Sequence, residues 1–399
     1  MGEDMIDIVG KKCCGCGACE NICPKGCVVM KSNGEGFLYP EIMEAQCIKC
    51  GRCETVCPIL SNHSGNDKME TWGCMARDRE LLYSSSSGGV FSLLAKTVLD
   101  EAGIVCGVAF TEDFYGVRHV VVNNAKGIET LRGSKYLQSK IGFVYREIKK
   151  SLMDGKRVLF TGTPCQVAGL KGFLGKDYES LVCADIICHG TPSPLFWEKY
   201  LKHIERTVGE KAMSVNFRSK ENGWRLYGMN IHLSDGSCYY KTMDEDPFMS
   251  IFRKDYCLRE SCYQCVTKEK GSCADITIGD FWGVENVVPE MDETRGISLV
   301  IVHTEKGSKL FKSVFSSLNG KQVVYEAALA KNRAYHRSVA RPSERDMFFR
   351  DLQNKSMPQI IKKYARQELS VRLRKRVASS LLGRLRRRIL YKDNKSDRA

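Results

Sequence analysis

The chain has 399 residues, 43% hydrophobic and 27% charged, a balance that argues for a globular protein of two or three domains and against a disordered or fibrous one. No stretch approaches the roughly 18 consecutive apolar residues that cross a bilayer, which argues against an integral membrane protein. The formal charge of +14 suggests nucleic acid until it is mapped: residues 362–392 hold twelve Lys or Arg against the single acid Glu368, and the rest of the chain is near neutral.

In chain order the first signal is a repeated cysteine run. Cys13, Cys16, Cys19 and Cys23-Pro24 form C-x2-C-x2-C-x3-C-P, and Cys47, Cys50, Cys53 and Cys57-Pro58 repeat it 34 residues later. In such a run three close thiolates cap one face of a 4Fe–4S cube, and the fourth cysteine reaches the cluster of the other run. The expectation is one cluster on Cys13, Cys16, Cys19 and Cys57, and a second on Cys47, Cys50, Cys53 and Cys23. The internal repeat predicts a bacterial-type ferredoxin fold over residues 1–62. A structural zinc site or a disulfide framework fits poorly, because zinc ribbons pair two C-x2-C knuckles and disulfide scaffolds belong to short secreted chains. The first 25 residues show no apolar signal core, so the thiols are read as reduced and cytoplasmic. Cys14 and Cys27 fall outside the register and read as spares.

Residues 61–67 are polar throughout and read as a linker. From about residue 68 the pattern changes. Strands are predicted over 103–110, 157–161 and 181–188, alternating with helices over 135–150, 166–174 and 194–208, which points to an α/β unit with parallel strands. Residues 225–233 and 237–241 flank Ser234-Asp235-Gly236, a hairpin signal that makes the fold mixed. Residues 84–89, Ser-Ser-Ser-Ser-Gly-Gly, precede an apolar helical run at 90–99 and offer either a phosphate-binding helix start or a plain serine cap. Two predicted strands end in Gly162-Thr163-Pro164-Cys165-Gln166 and in Cys188-His189-Gly190, where open α/β sheets bind ligands, so Cys165 and Cys188 are expected at one crevice. Cys257, Cys262, Cys265 and Cys273 form a third cysteine group ahead of Gly279-Asp280-Phe281-Trp282-Gly283. Finally Val377, Leu381, Leu385 and Ile389 recur every four positions among arginines, the pattern of a basic amphipathic helix over 371–390. Such a helix suits an anionic membrane surface or an acidic partner; nucleic acid is the weaker reading, since no stacking aromatics accompany the charge.

Taken in order, the cysteine repeats, Ser87-Gly88-Gly89, Gly-Ser-Lys-Tyr at 133–136, the 162–166 and 188–190 turns, Cys262-x2-Cys265 and the 279–283 run resemble the beta subunit of coenzyme F420-reducing hydrogenase and its dehydrogenase relatives. The resemblance runs from about Cys13 to about Arg345. It implies an N-terminal-type region over 68–130 and a C-terminal-type FAD and iron–sulfur domain over 131–345, leaving 346–399 as a basic helical tail. The fold class is therefore an α+β ferredoxin module, a mixed α/β flavin-binding domain and a basic C-terminal helix.

The resemblance also implies one FAD, contacted by Ser87, Gly88, Gly89, Lys135, Tyr136, Gln138, Gly162, Thr163, Pro164 and Gln166. Lys135 suits a pyrophosphate and Tyr136 a ring, although a solvated lysine beside a core aromatic would look the same. A third cluster is implied, with two ligand sets open: the split set Cys165, Cys188, Cys262 and Cys265, which is preferred, or the local set Cys257, Cys262, Cys265 and Cys273, which would also suit zinc. His189 is the candidate proton donor, against a plain loop histidine, and Arg218 and Lys220 are candidates for holding an acidic substrate, against plain surface charge. The implied activity is that of an oxidoreductase passing electrons between an organic hydride carrier like coenzyme F420 and one-electron carriers. A ferredoxin-linked FAD reductase of a biosynthetic, sugar-linked intermediate is one alternative. A non-catalytic electron-transfer subunit of a larger complex is another. The implied partners are an electron-carrier protein or F420-like molecule, a partner subunit and, through the tail, the inner membrane surface; the location is cytoplasmic.

Overall fold

The computed structural model describes residues 5–61, 64–291 and 295–365. The amphipathic stretch read at 371–390 lies outside the described residues. Among them no helix is long and apolar enough to cross a membrane.

The first unit is an antiparallel hairpin of β1 (Val28–Ser32) and β2 (Leu38–Ile42), set between two short helices, Ala18–Ile22 and Arg52–Thr55. The cysteine repeat is also a backbone repeat. Gly17 (φ 70°) and Gly51 (φ 69°) both start those helices in the left-handed region, and two residues earlier Gly15 (φ 70°) and Lys49 (φ 50°) are left-handed too. Left-handed residues between successive cysteines curl each run into a compact loop, a conformation that glycine adopts at little cost.

The second unit is built on eight strands: β3 (Glu70–Ala76), β4 (Ile104–Phe110), β5 (Val117–Val122), β6 (Val158–Gly162), β7 (Leu181–Ile186), β11 (Ile276–Asp280), β12 (Ser298–Val302) and β13 (Leu318–Gln322). Their order across the sheet is β13-β3-β12-β11-β7-β6-β4-β5. The central four, β11, β7, β6 and β4, are parallel, and the strands outside them run antiparallel. The apolar runs of β6 and β7 follow from cover on both faces. Leu159 and Val182 meet the helices Val90–Asp100 and Glu305–Ser313, whereas Phe160 and Cys183 meet Val144–Met153 and Pro164–Leu174. Strands from before and after residue 131 thus share one sheet.

A third layer holds the antiparallel strands β8 (Ala212–Ser219), β9 (Gly228–Leu233) and β10 (Cys238–Thr242) with the helix Pro194–Val208. Their aromatic core gathers Trp197, Phe217 and Phe248, and it also takes Phe37 from the first hairpin. Gly236 (φ 85°) turns the hairpin expected at 234–236.

Three departures from the sequence reading have physical causes. The helix expected over 135–150 begins only at Val144, because Gly142 is left-handed (φ 56°) and interrupts the right-handed helical backbone. The polar linker is pinned rather than solvated: the backbone N–H groups of Gly65 and Asn66 donate to the carbonyls of Lys270 and Ser272, both at 2.7 Å. Residues 346–365, grouped with the basic tail by charge, form most of the helices Arg345–Asn354 and Met357–Tyr364, whose Phe348, Leu352 and Ile360 are fully buried in the aromatic core.

Arg345 fastens that C-terminal pair to the first unit. Its guanidinium, 1% exposed, donates to both Glu35 carboxylate oxygens at 2.9 and 2.7 Å and pairs with Glu260 at 3.0 Å. Arg345→Met leaves the Glu35 carboxylate without its cation, while Glu260 keeps Arg341 at 2.7 Å, and should lower stability by about 2 kcal/mol. The urea midpoint reads this loss; Lys31→Met, which breaks an exposed pair with Glu41, should leave the midpoint unchanged.

Candidate redox centres and cofactor cleft

The two cysteine runs surround two small cavities. Cys13, Cys16, Cys19 and Cys57 line one, together with Cys14. Cys23, Cys47, Cys50 and Cys53 line the other, together with Cys27. The fourth cysteine of each run therefore faces the cavity of the other run. Burial, and then the neighbouring Cys13 and Cys57, push the Cys19 thiol far above its ordinary pKa. Thiols crowded in this way become thiolates when a metal binds them, so the donor set suits iron–sulfur clusters. The second cavity is the more superficial: Cys50 is exposed and Ile48 is 56% exposed, whereas Cys16, Cys19 and Cys57 are buried.

The first cavity abuts the α/β unit. A Cβ on Gly169, in the helix Pro164–Leu174, would stand 2.8 Å from the Cys16 sulfur, so only glycine admits that thiol.

Beyond this contact lies a cavity of about 330 Å³, lined by Cys165, Cys188, Cys262 and Cys265 as well as Cys14 and His189. Cys165 sits in the first turn of its helix and Cys188 just past the end of β7, while Cys262 lies in the turn Glu260–Gln264, which Cys265 follows. A contact with Cys14 and burial raise the Cys165 thiol, and burial and Cys262 raise that of Cys188. The structure thus brings the split set together. Cys257 is fully buried in the aromatic core, and Cys273 points its sulfur toward the Ser64 carbonyl, 3.7 Å away. Neither lines this cavity. Among the described residues, no three of His, Cys, Asp and Glu converge on a single-ion site.

His189 is held at the crevice by Asp255, its Nε2 lying 2.6 Å from the carboxylate, with the ring edge-on to Phe252. Sequence reasoning missed Asp255, which stands 66 positions away with no motif around it.

A second cavity of about 310 Å³ opens on the other side of Cys165. Every flavin contact that the resemblance implies lines it except Gly88 and Pro164. Pro164 faces the thiol crevice instead. Gly88 lies behind the wall, its N–H donating to the Ser298 hydroxyl at 2.9 Å. Gly89 (φ 85°) starts the helix Val90–Asp100 with no side-chain cap, leaving first-turn N–H groups and the positive end of the dipole at the cleft. Lys135 Nζ donates to the carbonyls of Leu131, Arg132 and Gly133 at 3.0–3.2 Å, and burial pulls its pKa down to about 7. Gln166 accepts from the Thr163 N–H at 2.9 Å in a capping box, and Gln138 accepts from Leu38 N–H at 2.8 Å. Both amide oxygens therefore shape the cleft wall. Tyr136 packs on Phe217 and Phe252, and its hydroxyl accepts from Arg218 at 3.3 Å.

Arg218 and Lys220, read from sequence as substrate holders, face inward. Arg218 is 4% exposed and paired at 2.8 and 3.1 Å with both oxygens of Asp280, which the 279–283 run supplies. Lys220 donates to the carbonyls of Leu82 and Ser87 at 2.8 and 2.7 Å, and so fixes the serine loop. The cleft and the thiol crevice share a wall that includes Cys14, Thr163, Cys165 and Asp185. Asp185, another residue that the sequence did not flag, is fully buried, and burial raises its pKa to about 7.

Three family descriptions match the chain in succession: the 4Fe-4S dicluster domain over residues 12–59, the N-terminal part of the coenzyme F420 hydrogenase/dehydrogenase beta subunit over 71–144, and the C-terminal part of that same beta subunit over 155–321. The F subunit of the F(420)H(2) dehydrogenase of Methanosarcina mazei is 28% identical over 321 residues, an alignment spanning 76% of this chain and 82% of that protein. A chain of the F420-reducing [NiFe] hydrogenase complex from Methanosarcina barkeri aligns with a TM-score of 0.44 at 16% identity, over 65% of this chain and 84% of that one.

The crevice geometry separates the two third-cluster ligand sets. Cys262→Ser should remove roughly four iron atoms per chain, whereas Cys257→Ala and Cys273→Ala should leave iron content unchanged in anaerobically purified protein. Gly169→Ala, which crowds Cys16, should cost the first cluster while sparing the rest.

Proposed function

Because the chain belongs to the coenzyme F420 hydrogenase/dehydrogenase beta-subunit family and carries a 4Fe–4S dicluster domain, we propose that it is an iron–sulfur flavoprotein oxidoreductase. It would exchange a hydride with a carrier like coenzyme F420 at FAD and pass single electrons through three 4Fe–4S clusters. One observation carries this reading: the cleft, the thiol crevice and the first thiol cavity all have Cys14 in their walls. The second thiol cavity follows within the same cysteine repeat.

Bound FAD supplies the exchange between a two-electron hydride and single electrons. The chain's own residues supply the setting. The helix start at Gly89 would hold the phosphates, with the Lys135 charge set beside them while its N–H groups stay on the 131–133 carbonyls; the loop from Gly162 to Gln166 would form the wall toward Cys165, and Tyr136 would offer a ring face beside the cleft. His189, oriented by Asp255, lines the crevice and is the candidate proton donor there. At the other end, the exposed Cys50 and Ile48 mark where a one-electron partner protein docks, on a module read as a bacterial-type ferredoxin fold. The Methanosarcina mazei relative is named as one subunit among others, which supports a second reading in which this chain works inside a larger complex.

Iron, sulfide and flavin quantified together on anaerobically purified protein test the proposal. Roughly twelve irons with one FAD are expected, and bleaching by reduced coenzyme F420 or by reduced ferredoxin identifies the input side. Roughly eight irons without flavin would refute it. Lys135 adds a pH signature. Its ammonium attracts phosphate below about 7 and is lost above, so FAD retention should weaken as pH rises through about 7, and Lys135→Met should abolish that dependence.

A further inference from the structure

Arg259 stands between the first cysteine run and the turn that carries Cys262. It is 1% exposed. Its Nε donates to the Cys13 carbonyl at 2.7 Å, its guanidinium lies 4.0 Å over the Tyr39 ring, and its Nη1 packs beside Gly15 in the loop between Cys13 and Cys16. On the other side, its carbonyl accepts from the Cys262 N–H at 3.0 Å. Both Nη1 and Nη2 are buried without a hydrogen-bond partner among the described residues.

The contrast with the other buried arginines is informative. Arg345 faces the Glu35 and Glu260 carboxylates, and Arg218 faces Asp280. No carboxylate within salt-bridge distance of Arg259 balances it among the described residues. A buried cation without an anion is strongly disfavoured, and a stacked tyrosine offsets only part of the cost. The groups it does face belong to the first cysteine run: its Nε binds the Cys13 carbonyl, and its Nη1 lies against Gly15, between Cys13 and Cys16. A cube held by four thiolates is an anion, and it gains one further negative charge on reduction.

We propose that Arg259 is the counter-cation of the cluster on Cys13, Cys16, Cys19 and Cys57, and that it raises the reduction potential of that cluster. The inference rests on the cluster reading above. One electron arrives and one leaves, and the guanidinium keeps its proton throughout, so the residue acts through the cluster as a positioning charge. Nearby charge and hydrogen bonds to the cluster are established levers on such potentials.

The test is an EPR-monitored redox titration of anaerobically purified, full-length protein. Wild-type iron content tests the cluster reading itself; the potentials of the variants test Arg259. In the neutral variants Arg259→Gln and Arg259→Met, one 4Fe–4S signal should move to lower potential while the others stay, and Arg259→Lys should move it less. Wild-type potentials in a neutral variant with full iron would overturn the proposal, as would an equal shift in the lysine variant. If the neutral variants lose iron that the lysine variant retains, the charge is needed to hold the anion, which supports the proposal. Loss of iron in all three would make Arg259 a mere anchor for Cys13 and overturn it.

Discussion

The packing of the loop of residues 13–19 on the helix Pro164–Leu174 is the contact on which the rest of the arrangement depends. Gly169 has no side chain, so the Cys16 sulfur can settle against the helix. The same docking sets Cys14 against Cys165, at the wall shared by crevice and cleft. Electron transfer between centres falls off steeply with separation, so a side chain of ordinary size at position 169 would cost more than stability. Gln138, which reaches from the cleft wall to the Leu38 N–H, and Arg345, which reaches from the C-terminal helix to Glu35, hold the same two units in register from other sides.

The sheet explains why redox groups collect where they do. Four parallel strands deliver their carboxyl ends to one edge, and side chains there escape the ladder and face an opening. The helix start after β6 supplies Cys165, the loop after β7 supplies Cys188, and the end of β11 supplies Asp280. Asp280 then neutralises the buried Arg218 that braces Tyr136. The conspicuous 279–283 run is thus a structural support of the cleft in this chain, with its carboxylate turned to Arg218 and to the Trp224 indole N–H at 2.9 Å.

What the sequence disclosed depended on whether the signal was local. The cysteine repeat was legible because its spacing dictates geometry over a few residues, and the left-handed backbone at Gly17 and Gly51 repeats along with it. Strand ends near Cys165 and Cys188 were legible because buried parallel strands leave continuous apolar runs. The stretch 135–143 misled, since its apolar residues mimic a helical face while Gly142 breaks the backbone. Asp255 and Arg259 were invisible: each gains its role from a partner far away in sequence, His189 in one case and Cys13 in the other. Composition misled at the C-terminus, where the basic charge of residues beyond 365 masked two helices whose Phe348 and Ile360 belong to the aromatic core.

The central claim is that hydride chemistry in the cleft is wired through Cys165 to the dicluster domain. The most direct measurement is rapid anaerobic mixing with reduced coenzyme F420, following flavin and iron–sulfur absorbance separately in wild type and in Cys165→Ser. The account predicts that in wild type the two electrons of one hydride reach the flavin and then pass singly to the clusters, reoxidising it, whereas in the variant the flavin stays reduced and the dicluster centres stay oxidised. Equal cluster reduction in the two proteins would contradict it.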